Sequence, residues 1–153
     1  MDTSDDTPTS DDTPTPEAPR SGADIMRQFL PTSPYVGHLG IRLADLRPGM
    51  ATLTLPFAAP LATIGTTVHG GAIASLIDTA AMAAAWSDAT VPGTLRGATV
   101  GLTIAYLAPA AAEDLRATAT VLRRGGSLVY LDVAVDSATG RPIAKGLVTY
   151  KIG

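Results

Sequence analysis

The chain has 153 residues and no cysteine, with 46% hydrophobic residues but only 5% aromatics. That is one domain's length with a core built from Ala, Leu, Val and Ile, and it excludes disulfides, thiolate zinc sites and a cysteine nucleophile. Two histidines are too few for a histidine-rich metal site, so no metal is expected.

The net charge of −3 is unevenly spread: residues 1–20 hold six acids and one arginine, and the remainder carries eight acids against ten lysines and arginines. This balance gives no basis for nucleic-acid binding, although local basic spots could serve an anionic ligand. No secretory h-region and no spanning segment stand out, so the expectation is a cytoplasmic protein that does not enter the membrane.

Residues 1–20 contain Ser-Asp-Asp-Thr-Pro-Thr twice, at 4–9 and 10–15. Acidic, polar and proline-bearing, this stretch cannot bury enough apolar surface to order itself, and it reads as a disordered tail before a domain over 21–153. Residues 22–30 form a short amphipathic helix with Ile25, Met26, Phe29 and Leu30 on one face, ended by Pro31 and Pro34. A connector over 35–40 holds His38, which reads as structural. Strands follow over 41–46 and 50–55, joined by a turn at Arg47-Pro48-Gly49. A loop over 56–68 then leads to the central helix.

Residues 69–86 read as one long helix rich in alanine, the best helix former, with Thr66 and Thr67 as candidate caps and stop signals over 87–93. Beyond the opening histidine, its only ionisable group is Asp78. A helix apolar on nearly every side is buried on nearly every side, so the rest of the chain should wrap it, with one carboxylate in its wall. Burial is how enzymes tune a carboxylate into an acid, base or nucleophile; the plain alternative is a packing role with a backbone partner.

Gly70 and Gly71 open this helix. Its first amides lack internal partners and lie at the positive end of the macrodipole, and glycine lets a carbonyl oxygen approach them closely, as an oxyanion hole requires. Asp78 lies eight residues past Gly70, about 12 Å along the axis. One helix therefore cannot place both groups on one carbonyl. Two antiparallel copies across a two-fold axis can, giving two sites per dimer.

After residue 93 the texture is β throughout. Strands are expected over 95–107, bulged at Gly97 or Gly101, then over 115–123, 128–135 and 143–152, with turns at Arg124-Gly125-Gly126 and 137–142. Hairpin-length links imply an antiparallel sheet. One long helix on a curved sheet of about six strands is α+β architecture.

Four segments resemble one family. They are Val68-His69-Gly70-Gly71 followed by Leu76-Ile77-Asp78-Thr79-Ala80, then Thr99-Val100-Gly101-Leu102-Thr103-Ile104-Ala105-Tyr106-Leu107-Ala108-Pro109-Ala110, then Val121-Leu122-Arg123-Arg124-Gly125-Gly126-Ser127-Leu128, and Ala144-Lys145-Gly146. Together they resemble the hotdog-fold acyl-CoA thioesterases of the phenylacetic-acid-degradation type, in the hydroxybenzoyl-CoA thioesterase superfamily.

The resemblance implies a hotdog fold, a dimer or dimer of dimers, sites at the subunit interface, and an acyl-CoA substrate with no separate cofactor. It implies that the Gly70 amide polarises the thioester carbonyl, that His69 supports the loop, and that Asp78 of the partner is nucleophile or general base. Thr63, Gly71, Thr99, Gly101 and Tyr106 are implied at the substrate. Arg123, Arg124, Gly125, Gly126 and Ser127 are implied at the CoA nucleotide, where arginine and backbone amides suit phosphate. Two departures stand out: Thr63, or Ala62 if the loop is one residue longer, replaces a usual Asn or Gln, and Gly101 replaces a frequent Asp.

Two other functions compete. A hotdog hydratase or dehydratase would use a His and an acid to move the proton beside the carbonyl, and His69 with Asp78 could pass for that pair. A non-catalytic acyl-CoA-binding regulator is suggested by the missing carboxamide and opposed by the presence of Asp78.

Overall fold

A computed structural model describes residues 21–91 and 95–153. The expected tail over 1–20 and the stop signal at Pro92-Gly93 lie outside the described residues. The first helix, α1 (Gly22–Thr32), is capped by Ser21, whose hydroxyl accepts from the Asp24 amide, and buries Ile25, Met26 and Leu30. It runs two residues further than expected, through Pro31. Proline removes one amide there, in a last turn where the Thr32 hydroxyl donates to the carbonyls of Gln28 and Phe29.

The expected connector is instead a second helix, α2 (Pro34–Leu39), with Pro34 at its first turn and Gly40 at φ 74° closing it. Proline pre-sets the first turn, and glycine accepts the left-handed cap without a Cβ penalty. His38 lies on this helix and is exposed.

Strands β1 (Arg42–Arg47) and β2 (Met50–Leu55) form the expected hairpin. The expected loop after β2 holds a 3-10 turn and a small ribbon of β3 (Ala62–Ile64) with β4 (Thr67–Val68). Helix α3 (Gly70–Trp86) follows, and then β5 (Gly97–Tyr106), β6 (Leu115–Arg124), β7 (Leu128–Ser137) and β8 (Pro142–Ile152). Six strands form one antiparallel sheet in the order β1-β2-β6-β7-β8-β5. Because β5 pairs with β8 and not with its neighbour in sequence, it becomes an edge of the sheet.

The sheet lays Leu53, Leu55, Leu115, Leu131, Val133, Val135 and Ile143 against α3, whose Leu76 and Ile77 are fully enclosed. Each such side chain contributes about 1.5–3 kcal/mol by leaving water. The helix lies close because the facing residues are small. A Cβ on Gly146 would stand 2.7 Å from Ile77 Cγ2 and 3.7 Å from Val133 Cβ. Ile77 is β-branched and cannot swing clear, so Gly146→Ala is expected to cost about 1–3 kcal/mol by overpacking, read as a lower denaturant midpoint at unchanged slope.

Helix α3 is buried over most of its length, but the carboxylate expected to be buried is not: Ala74, Ser75, Asp78 and Met82 remain half-buried. The sheet of a single chain curves around one side and leaves this stripe beside the edge strand. Among the described residues, no helix is long and apolar enough to cross a membrane.

Candidate active site

The cap of α3 is His69, not Thr66 or Thr67; its Nδ1 accepts from the Gly71 amide at 2.8 Å. Thr67 is taken into β4, and the Thr66 carbonyl accepts from the Ala112 amide. The His69 amide in turn donates to the Leu61 carbonyl at 2.7 Å, which pins the helix start to the loop. Gly71 is thus already partnered, whereas the Gly70 amide finds no acceptor among the described residues. It sits at the positive end of a 17-residue helix, suited to a developing oxyanion. Tyr106 stands over Gly70 and donates its hydroxyl to the Gly70 carbonyl at 3.0 Å.

Asp78 occupies the middle of the open stripe. Its Oδ1 accepts from Thr99 Oγ1 at 2.5 Å. Strand β5 therefore flanks α3 in the opposite sense, with Thr99 at the carboxylate and Tyr106 at the glycine. Within one chain these two groups stay about 12 Å apart along the helix.

A bulge decides which residues of β5 face α3. Register shifts at Val100, so Thr99 lies opposite the buried Tyr150 while Gly101 lies opposite Thr149. The bulge sits between the two expected positions, Gly97 and Gly101. It leaves Gly101 on the outer face of the sheet, in a groove with Leu122, Tyr130 and Leu147, away from Asp78.

A cleft of about 310 Å³ opens beside the helix start, lined by Tyr35, Leu39, Pro60, Ala62, His69 and Gly71. Ala62 lines it, and Thr63 does not. Tyr35, which sequence reasoning did not single out, shares a 2.8 Å hydrogen bond with Ser75, whose hydroxyl also donates to the Gly71 carbonyl. No sequence signal couples residues 40 positions apart.

The basic turn lies at the far end of α3. Arg124 pairs with Asp88 and donates to the Ala85 carbonyl at 2.9 Å, so its charge is largely committed to the helix C-terminus. Gly125, Gly126 and Ser127 line a smaller cleft with Asp88 and Thr90. Arg123 is exposed and makes no ion pair among the described residues. These residues are not brought to Asp78 or Gly70: Ala85, which Arg124 touches, lies about 10 Å beyond Asp78 and about 22 Å beyond Gly70 along α3.

Near Asp78, Trp86 Nε1 donates to Tyr150 Oη at 3.2 Å. Burial raises the Tyr150 phenol above its ordinary range; the Trp86 bond opposes this, and the neighbouring Asp78 charge adds to it. Tyr150 was not foreseen as part of this neighbourhood, for its only sequence signal was an inward position on the last strand.

Residues 65–144 match the thioesterase superfamily. A protein of Halobacterium salinarum that carries the name of an esterase is 30% identical over 139 residues, covering 85% of this chain and 91% of its own. A thioesterase family protein of Silicibacter pomeroyi superposes with a TM-score of 0.78 at 26% identity, over 86% of this chain and 99% of that one. The E. coli PaaI protein, from the phenylacetic acid degradation operon, gives 0.66 at 27% identity, over 75% of this chain and 85% of that one. The family match and the shared hotdog fold place the chain in the thioesterase superfamily, as a thioester hydrolase.

Proposed function

We propose that the chain hydrolyses an acyl-CoA thioester at sites built between two copies, with Asp78 of one copy and the Gly70 amide of the other acting on one carbonyl. The observation that carries this reading is the position of the two groups along the sheet edge. Asp78 sits at Thr99 and Gly70 at Tyr106, seven residues apart on the edge strand β5. If two β5 edges pair antiparallel about a two-fold axis between Leu102 and Thr103, Thr99 of each copy comes beside Tyr106 of the other. Asp78 then approaches the second copy's Gly70, and symmetry makes the site twice.

The edge itself supports such pairing. Val100, Leu102 and Tyr106 are 57%, 40% and 54% exposed, on a ten-residue strand with free backbone groups along one side. A long apolar edge of this kind is a template for another strand.

In this reading the Gly70 amide stabilises the oxyanion, and Asp78 either attacks the thioester carbon, giving an acyl anhydride that water then hydrolyses, or takes the proton of an attacking water. CoA leaves as the thiol. Water, a carboxylate and a backbone donor suffice, so no cofactor is needed. His69 holds the loop through Gly71. Arg123, free of the Asp88 pair that engages Arg124, is the better phosphate ligand at the distant turn. The missing carboxamide at Ala62 or Thr63 leaves the Gly70 amide with more of the work.

The test is release of free thiol from a panel of aryl-, short- and medium-chain acyl-CoAs. Turnover supports the reading. Tight binding without turnover sinks it in favour of a regulator, and a double bond formed from a 3-hydroxyacyl-CoA sinks it in favour of a dehydratase. Thr99 supplies a further check. Thr99→Val removes the hydrogen bond to a carboxylate and is expected to lower kcat about tenfold, while Thr99→Ser, which keeps the hydroxyl, stays near wild type.

A further inference from the structure

We propose that the cleft between α1, the second half of α3 and the start of β5 receives the acyl group, so that the substrates are thioesters of apolar aryl or medium-chain acids. This inference rests on the reading of Asp78 and Gly70 given above and names the substrate class for that site.

The cleft has a volume of about 280 Å³ and is lined by Ile25, Met26, Phe29, Met82, Trp86 and Leu95, with Gly97 and Tyr150 completing it. Among the described residues, no charged side chain takes part. It also begins where the chemistry is placed. Asp78, Met82 and Trp86 follow one another at four-residue spacing on one face of α3, so the cleft opens one turn beyond the carboxylate. One residue separates Gly97 from Thr99, the residue bonded to Asp78, and alternation puts both on the inner side of β5.

The inner end is closed by rings. Trp86 and Tyr150 are almost fully buried, and Trp86 Nε1 donates to Tyr150 Oη, so the indole offers an acyl chain ring surface with its N–H already partnered. A Cβ on Gly97 would fall 2.4 Å from the Tyr150 oxygen, so glycine is needed for this wall to close. Asp78 to Trp86 spans eight residues, about 12 Å, which sets the reach of an acyl chain from the carbonyl. A free carboxylate or ammonium at the chain's end would meet only apolar groups there and is disfavoured.

Trp86 is the chain's only tryptophan, so the cleft carries its own reporter. The experiment titrates the wild-type protein with S-octyl-CoA, an unhydrolysable thioether, and with S-methyl-CoA, following Trp86 emission and, by calorimetry, binding. The expected result is a saturable emission change with the octyl compound and little with the methyl compound.

In parallel, kcat/KM is measured for butyryl-, octanoyl- and phenylacetyl-CoA in wild type and Met82→Phe. A larger ring at the cleft mouth is expected to lower the octanoyl-to-butyryl ratio about tenfold. S-octyl-CoA that binds without moving Trp86 emission, or does not bind, overturns the cleft assignment, as does an unchanged chain-length ratio in an active Met82→Phe. If the octyl thioether moves Trp86 but wild type releases no thiol from any acyl-CoA, the cleft stands and the hydrolytic reading fails.

Discussion

Asp78→Asn is expected to lower kcat for thiol release by about 10²–10⁴-fold, the usual contribution of a positioned acid–base group. The substitution keeps shape and keeps an oxygen for the Thr99 hydroxyl to donate to, so the hydrogen bond seen at 2.5 Å can persist. What disappears is the negative charge, and with it the capacity to attack a carbonyl or accept a proton. Asp78 is half-buried and engages no basic side chain among the described residues. Neutralising it therefore leaves no orphaned cation, and the melting temperature should stay within a few degrees of wild type. KM should change little, because a group that acts only in the transition state contributes little to ground-state binding. The activity left over would come from the Gly70 amide and from substrate binding. A variant that keeps kcat within tenfold of wild type would remove Asp78 from the chemistry.

Much of this arrangement was legible in the sequence, and the parts that were not have physical causes. Helix α3 was legible because alanine, leucine and isoleucine dominate from Ala72 to Ala85 with no glycine or proline between them. Its cap was not, because histidine is an unusual N-cap and two threonines stood nearby. The separation of Asp78 from Gly70 followed from helical rise alone. The expected burial of Asp78 did not hold, because an all-apolar helix shows that something covers it without showing whether its own chain does. The edge position of β5 was hidden for a related reason: α3 interrupts the run of strands, and sequence neighbours β5 and β6 do not pair.

The face that Gly101 takes was not legible either. Thr99 and Gly101 are two residues apart and would share a face on a regular strand. The extra residue at Val100 reverses the alternation, leaving Thr99 inside and Gly101 outside. The pair between Arg124 and Asp88 joins positions 36 apart and depends on where the β6–β7 turn meets the end of α3.

Gly70→Pro is expected to lower kcat about 10²–10³-fold, the effect of removing one oxyanion-hole donor, while leaving the fold intact. Proline removes the one amide of interest and little else. Gly70 is the first residue of α3, the position proline favours in a helix. His69 before it is extended, with φ −64° and ψ 135°, as a residue preceding proline must be. An added Cβ meets Tyr106 at 3.4 Å, a contact that an exposed side chain can yield to.

The variant also decides whether the two groups act across a dimer. A heterodimer purified from one Gly70→Pro chain and one Asp78→Asn chain has, in the interfacial arrangement, both lesions in one site and neither in the other. It should recover about half of wild-type activity from two nearly inactive parents. Were Gly70 and Asp78 to act within one chain, each site of the heterodimer would carry one lesion, and the mixture would remain as inactive as its parents. The 12 Å between them along α3 and their separate partners on β5, Tyr106 and Thr99, favour recovery.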